Sequence, residues 1–389
     1  MKWINVLHLY QPPTQSREIV DQVVKESYET ILGLLDTYAH IKLTVNISGS
    51  LLELLIKYGH ENIIERFRAH AERGAIEFLG SAMYHPILPL LDEKEITRQI
   101  RLNNEISKKC FGSSYAPSGF YFPEMAYSAA AGITVKNAGF TWTILDEIHT
   151  TQNIDSENLY IAKENGFNVI FRNSTYSRTF PPESIIQTLE KIHAKYLITC
   201  HDGELYGHWH KDDRGFYKKV FTDLSIETQT VSEYLAEITE TKVPIETPVR
   251  DASWESLPEE LAHEIPLGLW NDPTNEIHLR LEAFKKQVLV LIEKNQNNRG
   301  YTKARHHADR GVASCAWWWA SERKIGPFSP ISWNPTEIEK GANELYHAVL
   351  SLEKMPEKDL APIDAEFKNL RALIWQKHKA KYDPSYQNN

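Results

Sequence analysis

The sequence has few cysteines and no long hydrophobic run. Its three cysteines, Cys110, Cys200 and Cys315, are odd in number and far apart, so they form neither a disulfide framework nor a cysteine-rich metal site. No stretch approaches the roughly 18 consecutive apolar residues of a membrane-spanning helix. The N-terminal MKWINVLHLY enters a strand-like run without the features of a secretory signal. These absences favour a cytoplasmic protein that does not bind a membrane.

The sequence also lacks a basic cluster. The net charge is −9, with 43 Lys and Arg residues against 52 Asp and Glu residues, which argues against nucleic acid as a partner. Aromatic residues make up 11% of the chain, and surplus Trp and Tyr side chains can fill a core or stack on the flat faces of sugar rings. At 389 residues the chain fits one large α/β domain and a smaller one, while the oligomeric state stays open.

Strand-like and helix-like segments alternate through the first two thirds of the chain. The hydrophobic runs predict seven strands, at residues 4–9, 43–47, 76–79, 119–122, 142–145, 168–171 and 196–200. A helical stripe covers 18–38. The pairs Asp92 with Glu95 and Ser184 with Gln187 match the capping-box pattern and predict helices that reach about residues 109 and 193. Seven strands with intervening helices indicate a βα barrel, with a doubly wound open sheet as the alternative.

The C-terminal part has a different pattern. After about residue 250, a stretch punctuated by prolines leads into four long helical patterns, at residues 274–294, 301–321, 335–352 and 362–379. We therefore expect a barrel domain at residues 1–250 and a helical domain at residues 251–389 that packs against it.

Two acidic residues follow strand-like runs. Glu124 comes after Phe122 and Pro123, and Asp202 ends the run that starts at Tyr196. The carboxyl ends of parallel strands meet at the active-site face of a βα fold. Two carboxyl groups that face each other across a sugar can break a glycosidic bond by double displacement. Taken singly, each residue is more often part of a polar loop.

Histidine and amide side chains follow two further strands. His8 and Gln11 end the first strand before Pro12, and His85 follows the third. Each alone is more often structural. Together, polar groups that converge on one mouth are what a sugar with many hydroxyl groups requires.

The remaining candidates lie after the fifth and seventh strands and in the C-terminal part. Asp146 and His149 either line the same mouth or cap a loop. The segment HDGELYGHWH (201–210) carries closely spaced histidines and acids, although their spacing fits no standard zinc pattern. The tryptophans that could stack on a sugar are Trp209, Trp254, Trp270 and one of the run 317–319, for which packing between domains is the alternative.

Four segments, in this order, resemble the motifs of glycoside hydrolase family 57: HLYQPP (8–13), GSAMYH (80–85), FPEMAY (122–127) and DGELYGHW (202–209). ASCAWWWASERK (313–324) is similar to the Trp-bearing segment of that family. The family contains α-amylase-like enzymes, 4-α-glucanotransferases, glycogen branching enzymes, amylopullulanases and α-galactosidases. The resemblance implies an α/β fold, an incomplete (β/α)7 TIM-like barrel whose cleft is closed by a C-terminal helical domain.

The resemblance also implies roles for individual residues. The family's nucleophile falls on Glu124 and its general acid/base on Asp202, in a retaining mechanism without metal or other cofactor. His8, His85 and Glu204 match positions that bind the sugar. The further substrate-binding candidates are Gln11, His201, Trp209, Trp270 and Trp318. The fourth motif is similar to the branching-enzyme version, which favours an α-glucan as partner.

The sequence-based hypothesis is therefore a retaining α-glycosidase or α-glucanotransferase. The short chain and the triple-Trp segment depart from the family's best-known members and leave the sugar, the linkage and the choice between hydrolysis and transfer open. The runner-up is a metal-dependent carbohydrate deacetylase on a similar barrel, with ligands drawn from His8, His85, Asp146, His201 and Asp202. A carbohydrate-binding protein without turnover is the third hypothesis.

Overall fold

A computed structural model describes residues 1–324 and 331–382 of the chain. The chain divides into two compact units, Met1–Glu255 and Ser256–Asn389. The sequence predicted a domain boundary at residue 250. The strands, which among the described residues occur in the first unit, are β1 (Lys2–Leu9), β2 (Leu43–Ile47), β3 (Ile76–Phe78), β4 (Gly119–Phe120), β5 (Trp142–Asp146), β6 (Tyr160–Ala162), β7 (Asn168–Arg172), β8 (Tyr196–Asp202), β9 (Glu227–Gln229) and β10 (Ile245–Thr247).

Helices occur in both units. Those of the first are α1 (Arg17–Val23), α2 (Glu29–Thr37), α3 (Gly49–Tyr58), α4 (Glu61–Glu72), α5 (Glu93–Phe111), α6 (Ala129–Asn137), α7 (Ser174–Ser177), α8 (Pro181–Thr188), α9 (Phe216–Thr222) and α10 (Val231–Thr239). Those of the second are α11 (Pro258–Ala262), α12 (Glu276–Lys294), α13 (Tyr301–Gly311), α14 (Cys315–Ala320), α15 (Pro335–Leu350) and α16 (Glu357–Tyr382).

Seven parallel strands form the wall of the barrel. In one arc β1 lies between β2 and β8, and β2 pairs with β3. In the other arc β5 lies between β4 and β7. The arcs meet at a parallel bridge between Gly80 and Phe120, and at a 2.8 Å hydrogen bond that Asn173 N–H donates to the carbonyl of Ile198. The expected TIM-like (β/α)7 barrel is confirmed, and the doubly wound sheet is not formed.

The barrel is incomplete at the seam between β7 and β8. There β6 runs antiparallel to β7 and pairs with Asn168 and Val169, so this edge of β7 is already occupied. The sequence did not predict the three-residue strands β6, β9 and β10, and β9 (ETQ) and β10 (IET) lack an apolar run that would indicate a strand.

Helix starts follow the chemistry of their first residues. The Asp92 cap is confirmed, since its carboxylate accepts the N–H of Glu95 at 2.9 Å where α5 begins. The predicted cap at Ser184 is wrong: α8 begins at Pro181, and Ser184 lies inside it with its hydroxyl directed at the carbonyl of Phe180. Proline is favoured in the first turn of a helix because its missing N–H would have had no partner there.

Two predicted helices are interrupted. Between α1 and α2 lies a π-helical turn, Val24–Tyr28. The single helix predicted at residues 301–321 is two helices, α13 and α14. The first ends at Gly311, where an added Cβ would lie 2.8 Å from Leu345 of α15. Among the residues that the structure describes, no helix combines the length and the hydrophobicity that crossing a bilayer requires. The cytoplasmic location stays a prediction.

Parallel pairing decides where the functional side chains lie. Because all seven strands of the wall point the same way, the segments that follow β1, β3, β4 and β8 emerge at the same end of the barrel. The first of these strands is almost fully buried, as a strand covered on both faces must be.

Candidate active site

Glu124 lies in a strained turn after β4. Pro123–Met125 form one 3₁₀ turn, in which Glu124 has φ 58° and Met125 has φ 48°. Left-handed backbone costs a non-glycine residue on the order of 1–3 kcal/mol. Trp254 N–H donates to the carbonyl of Glu124 at 3.3 Å, and His149 Nε2 lies 2.9 Å from the carbonyl oxygen of Met125. Tertiary contacts therefore hold a turn that the local sequence does not favour.

The Glu124 carboxyl group has two ring neighbours. The indole N–H of Trp254 donates to Oε2 at 2.8 Å, and Nδ1 of His85 lies 3.9 Å from Oε1. The side chain is 17% exposed. Burial raises the pKa of Glu124 to about 7, the bond from Trp254 lowers it, and the charge of Glu255 raises it. Glu124 therefore changes its charge near neutral pH.

His8 and His85 form a neutral pair beside this carboxyl group. Their Nε2 atoms lie 2.9 Å apart, so one nitrogen carries a proton and the other a lone pair. Burial lowers the pKa of His8 to about 4 and that of His85 well below its usual value. Tyr121 stacks on His8 at 4.3 Å between ring centroids, and Tyr10 stacks on His85 at 3.9 Å. The result is a flat, uncharged wall of rings.

Asp202 ends β8 on the other side of this pair. It lies in register with His8 of the neighbouring strand, so both side chains occupy the same face of the sheet. Burial raises the pKa of Asp202 well above its usual value, and the charges of Glu204, Glu124 and Glu255 add to the rise while Arg172 opposes it. Asp202 and Glu124 thus share one electrostatic environment, in which the pKa of both carboxyl groups is raised.

Glu204 and Gln11 meet next to Asp202. Glu204 is buried, and its Oε1 accepts the hydroxyl of Tyr28 at 2.7 Å and the amide N–H of Gln11 at 3.2 Å. The structure therefore brings Gln11 and Glu204 together, as it brings together His8 and His85.

Four further predicted site residues are His201, Trp209, Trp270 and Trp318. His201 precedes Asp202 on β8, so its side chain points to the opposite face, where it stacks on Tyr206 at 5.5 Å. Trp209 is 42% exposed on the segment that follows Glu204. Trp270, which is buried, and Trp318, which is partly exposed, belong to the second unit. Their roles in substrate binding stay predictions.

Asp146 and His149 have structural contacts. Asp146 caps a 3₁₀ turn by accepting the N–H of Ile148 at 2.9 Å, and Arg172 donates to its other oxygen at 2.6 Å. His149 faces backbone carbonyls, including that of Met125. Of the two interpretations left open by the sequence, these contacts support the capping one.

Sequence reasoning missed three groups of the site. Trp254 was considered only as a platform for sugar, whereas its indole N–H donates to Glu124. Arg172 donates to the carbonyl of Cys200 at 2.5 Å, and its guanidinium carbon lies 4.8 Å from the Trp254 ring. A charged residue that ends an apolar run was a signal for Arg172, as it was for Asp202. Nothing in the sequence around Tyr28 indicated its bond to Glu204.

The side chains considered as metal ligands contact other groups. Asp146 is paired with Arg172, and His8 and His85 bond to each other. Within residues 1–324 and 331–382, no cluster of three or more His, Cys, Asp or Glu side chains is arranged to hold a metal ion.

Comparison with known proteins agrees with this architecture. The profile of glycosyl hydrolase family 57 matches residues 9–248, well over half of the chain, and the chain belongs to this family. An α-amylase of Pyrococcus horikoshii is 27% identical over 311 residues, which cover 74% of this chain and 46% of that relative. The chain thus spans less than half the length of this amylase.

Two solved structures share the fold. The 4-α-glucanotransferase of Thermococcus litoralis superimposes with a TM-score of 0.70 at 19% identity, covering 91% of this chain and 60% of that one. A family 57 branching enzyme of Pyrococcus horikoshii gives a TM-score of 0.67 at 16% identity, covering 96% and 95%. At these identities the likeness concerns the fold.

Proposed function

We propose that this protein is a retaining glycoside hydrolase or transglycosylase that acts on α-linked glucans. One arrangement carries the proposal: Asp202 is paired in register with His8 on the neighbouring strand, His8 bonds to His85, and His85 lies 3.9 Å from Glu124. Two carboxyl groups thus flank one pair of neutral rings. Membership of family 57 and the names of its relatives, an α-amylase and a 4-α-glucanotransferase, support the α-glucan as substrate.

The reaction begins with Glu124 as the nucleophile. Its carboxylate attacks the anomeric carbon, the bond to the leaving oxygen breaks, and Asp202 transfers its proton to that oxygen. In the second step the Asp202 carboxylate takes a proton from water or from an acceptor hydroxyl, whose oxygen attacks the anomeric carbon and releases Glu124. Two inversions leave the configuration retained.

The side chains around the two carboxyl groups have separate roles in the reaction. The indole N–H of Trp254 stabilises the ionised form of Glu124 and orients it. His8 and His85, kept neutral by burial and bonded to each other, line the site beside Glu124 with ring atoms without adding charge. Trp209, which is 42% exposed, is the proposed platform for stacking on a glucosyl unit.

A panel of α-glucans and α-galactosides tests the proposal. Released reducing ends measure hydrolysis, the distribution of chain lengths measures transfer, and NMR of the first product gives its anomeric configuration. We expect retained products from an α-glucan, no turnover by Glu124→Gln, and rescue of Glu124→Ala by azide with an inverted glycosyl azide. Unchanged activity of the folded Gln variant would contradict the assignment, as would a first product of inverted configuration.

A further inference from the structure

We infer that Glu204 is a charge-holding carboxylate of the active site: Tyr28 and Gln11 keep it ionised beside Asp202, and its charge keeps the proton on Asp202. Glu204 then makes no bond to the sugar in the reaction, and Tyr28 is a positioning residue. The inference rests on the proposed role of Asp202 as the acid, and it assigns a role to Glu204 that differs from simple sugar binding.

The contacts of Glu204 favour its charged form. Both Tyr28 and Gln11 donate to the same oxygen, at 2.7 and 3.2 Å. The amide of Gln11 is itself oriented, because its Oε1 accepts the side-chain N–H of Gln15 at 3.1 Å. Tyr28 is fully buried, and burial and the charge of Glu204 raise its pKa well above its usual value, so it remains a donor. Hydrogen bonds to a carboxylate favour ionisation.

A π-helical turn delivers these contacts. Three consecutive residues of Val24–Tyr28 reach the segment that follows Asp202. Glu26 pairs with Nδ1 of His208 at 2.6 Å, Ser27 donates its hydroxyl to the carbonyl of Gly203 at 2.9 Å, and Tyr28 donates to Glu204. π-Helical turns are rare and often occur at functional sites. This one holds the position of Glu204 from a distant part of the chain.

Close packing fixes the distance between the turn and this segment. A Cβ added at Gly207 would lie 2.1 Å from the carbonyl oxygen of Glu26, so only glycine permits this approach. Gly207 also has φ 93°, a left-handed conformation that glycine adopts without strain.

The charges around the two carboxyl groups act in opposite directions. At Asp202 the charges of Glu204, Glu124 and Glu255 favour the proton, and the charge of Arg172 opposes them. At Glu204 burial is the largest effect and raises the pKa above its usual value, while the hydrogen bonds from Tyr28 and Gln11 and the charge of His208 oppose the rise. The pKa of Asp202, which has no such donors among the described residues, is raised well above its usual value. Two interacting carboxyl groups release their protons as a pair. The donors place the negative charge of the singly protonated pair on Glu204.

Carboxyl NMR tests this distribution directly. In protein labelled with ¹³C at the aspartate side-chain carboxyl, the Asp202 signal is identified by its loss in Asp202→Asn. Glu204→Gln keeps the shape of the side chain and removes its charge. We expect the midpoint of the Asp202 titration, and with it the basic limb of the pH profile of kcat/KM on an α-glucan, to move about one pH unit or more to lower pH.

Two tyrosine variants separate charge from structure. Tyr28→Phe removes a donor from Glu204, so that Glu204 takes a larger share of the proton and the Asp202 signal at neutral pH moves toward its ionised position. Tyr206→Phe is the matched control, since its buried hydroxyl, on the same segment, accepts from Asn5 at 2.9 Å and touches neither carboxyl group. The control should leave the Asp202 signal in place.

The outcomes distinguish this inference from the proposed function. An Asp202 midpoint that stays in place in Glu204→Gln, or that moves equally in Tyr206→Phe, overturns the role of Glu204 even if the protein cleaves glucans. If the midpoint falls as expected in Glu204→Gln but the wild-type protein shows no glycoside turnover, the charge relationship stands and the enzymatic proposal is removed.

Discussion

The turn after β4 and the turn after β8 each present a carboxyl group, but they hold it in opposite ways. Glu124 sits on left-handed backbone and receives a hydrogen bond from Trp254. Asp202 has ordinary extended backbone, φ −66° and ψ 135°, and faces the charges of Glu204, Glu124 and Glu255. A donor favours the charge on one group, and like charges favour the proton on the other.

This difference is what a nucleophile and an acid require. Burial raises the pKa of both groups, so burial by itself does not assign the roles. The neighbours decide: pairs of titratable groups whose surroundings push their protonation apart mark the acid and the base of a site. The comparison therefore predicts different responses when each turn is altered.

The largest expected effects are losses of activity on changing either carboxyl group. The two losses should depend differently on the leaving group of the substrate. Glu124→Gln should lower kcat/KM on the order of 10⁴-fold or more with any substrate, because it removes the attacking atom. Asp202→Asn should cost about 10²–10⁴-fold with a glucan, since a general acid contributes that range. The measurement compares a glucan with an aryl α-glucoside whose leaving group needs no proton.

With the aryl substrate, the first step of Asp202→Asn should be close to that of the wild type, whereas Glu124→Gln should stay inactive. Equal losses in both variants with both substrates would mean that the assigned division of roles is wrong. Circular dichroism of each variant checks that the fold is intact.

The next effect concerns the buried ion pair between Arg172 and Asp146, since Arg172 contacts residues next to both turns. Arg172 bonds to Asp146 and to the carbonyl of Cys200, and its guanidinium carbon lies 4.8 Å from the Trp254 ring. Asp146→Asn leaves the buried Arg172 charge uncompensated, and we expect a loss of about 3–5 kcal/mol in the free energy of unfolding, measured by urea denaturation. Glu105→Gln, which breaks an exposed pair with Arg101, should cost less than about 1 kcal/mol.

The third prediction concerns the Glu124 turn alone. Trp254→Phe removes the N–H that favours ionised Glu124, so the pKa of Glu124 should rise above about 7. Activity needs Glu124 ionised, and the acidic limb of the pH profile should therefore move about one unit to higher pH. Trp142→Phe, which loses an indole bond to the Ser118 hydroxyl, should leave that limb in place. If the acidic limb of the pH profile does not move in Trp254→Phe, Trp254 does not control the pKa of Glu124.

The smallest effect concerns the Asp202 turn alone. Ser27→Ala removes the buried hydroxyl that donates to the carbonyl of Gly203 at 2.9 Å. We expect a loss of about 1 kcal/mol in the free energy of unfolding and no movement of the acidic limb, which belongs to Glu124. The matched variant Ser351→Ala loses an exposed helix-end hydroxyl bond and should change stability by less than about 0.5 kcal/mol. A shifted acidic limb in Ser27→Ala would show that the two turns are not independent.

Much of the barrel was predictable from local patterns. The run at residues 43–47 is β2 with the same bounds, and six other apolar runs mark the remaining strands of the wall. The Asp92 cap followed from the spacing of two acidic residues. Where the prediction failed, local chemistry competed: at Ser184 the prolines at 181 and 182 start the helix earlier.

The environment of the two carboxyl groups was not predictable. Trp254 is 130 residues from Glu124 along the chain, and Tyr28 is 176 residues from Glu204. Glu124 adopts left-handed backbone although it is neither glycine nor asparagine, the residues that would indicate this conformation in a sequence. The closing of the cleft by the helical domain and the roles of Trp270 and Trp318 stay predictions.

The sequence by itself determined the strands, their common direction and the identity of the residues that end them, because apolar runs and strand-end residues are local properties. Only the tertiary structure decided which end residues meet, which of them receive donors and which face like charges. Protonation depends on burial and on neighbours within a few ångströms, and folding brings those neighbours from distant parts of the chain.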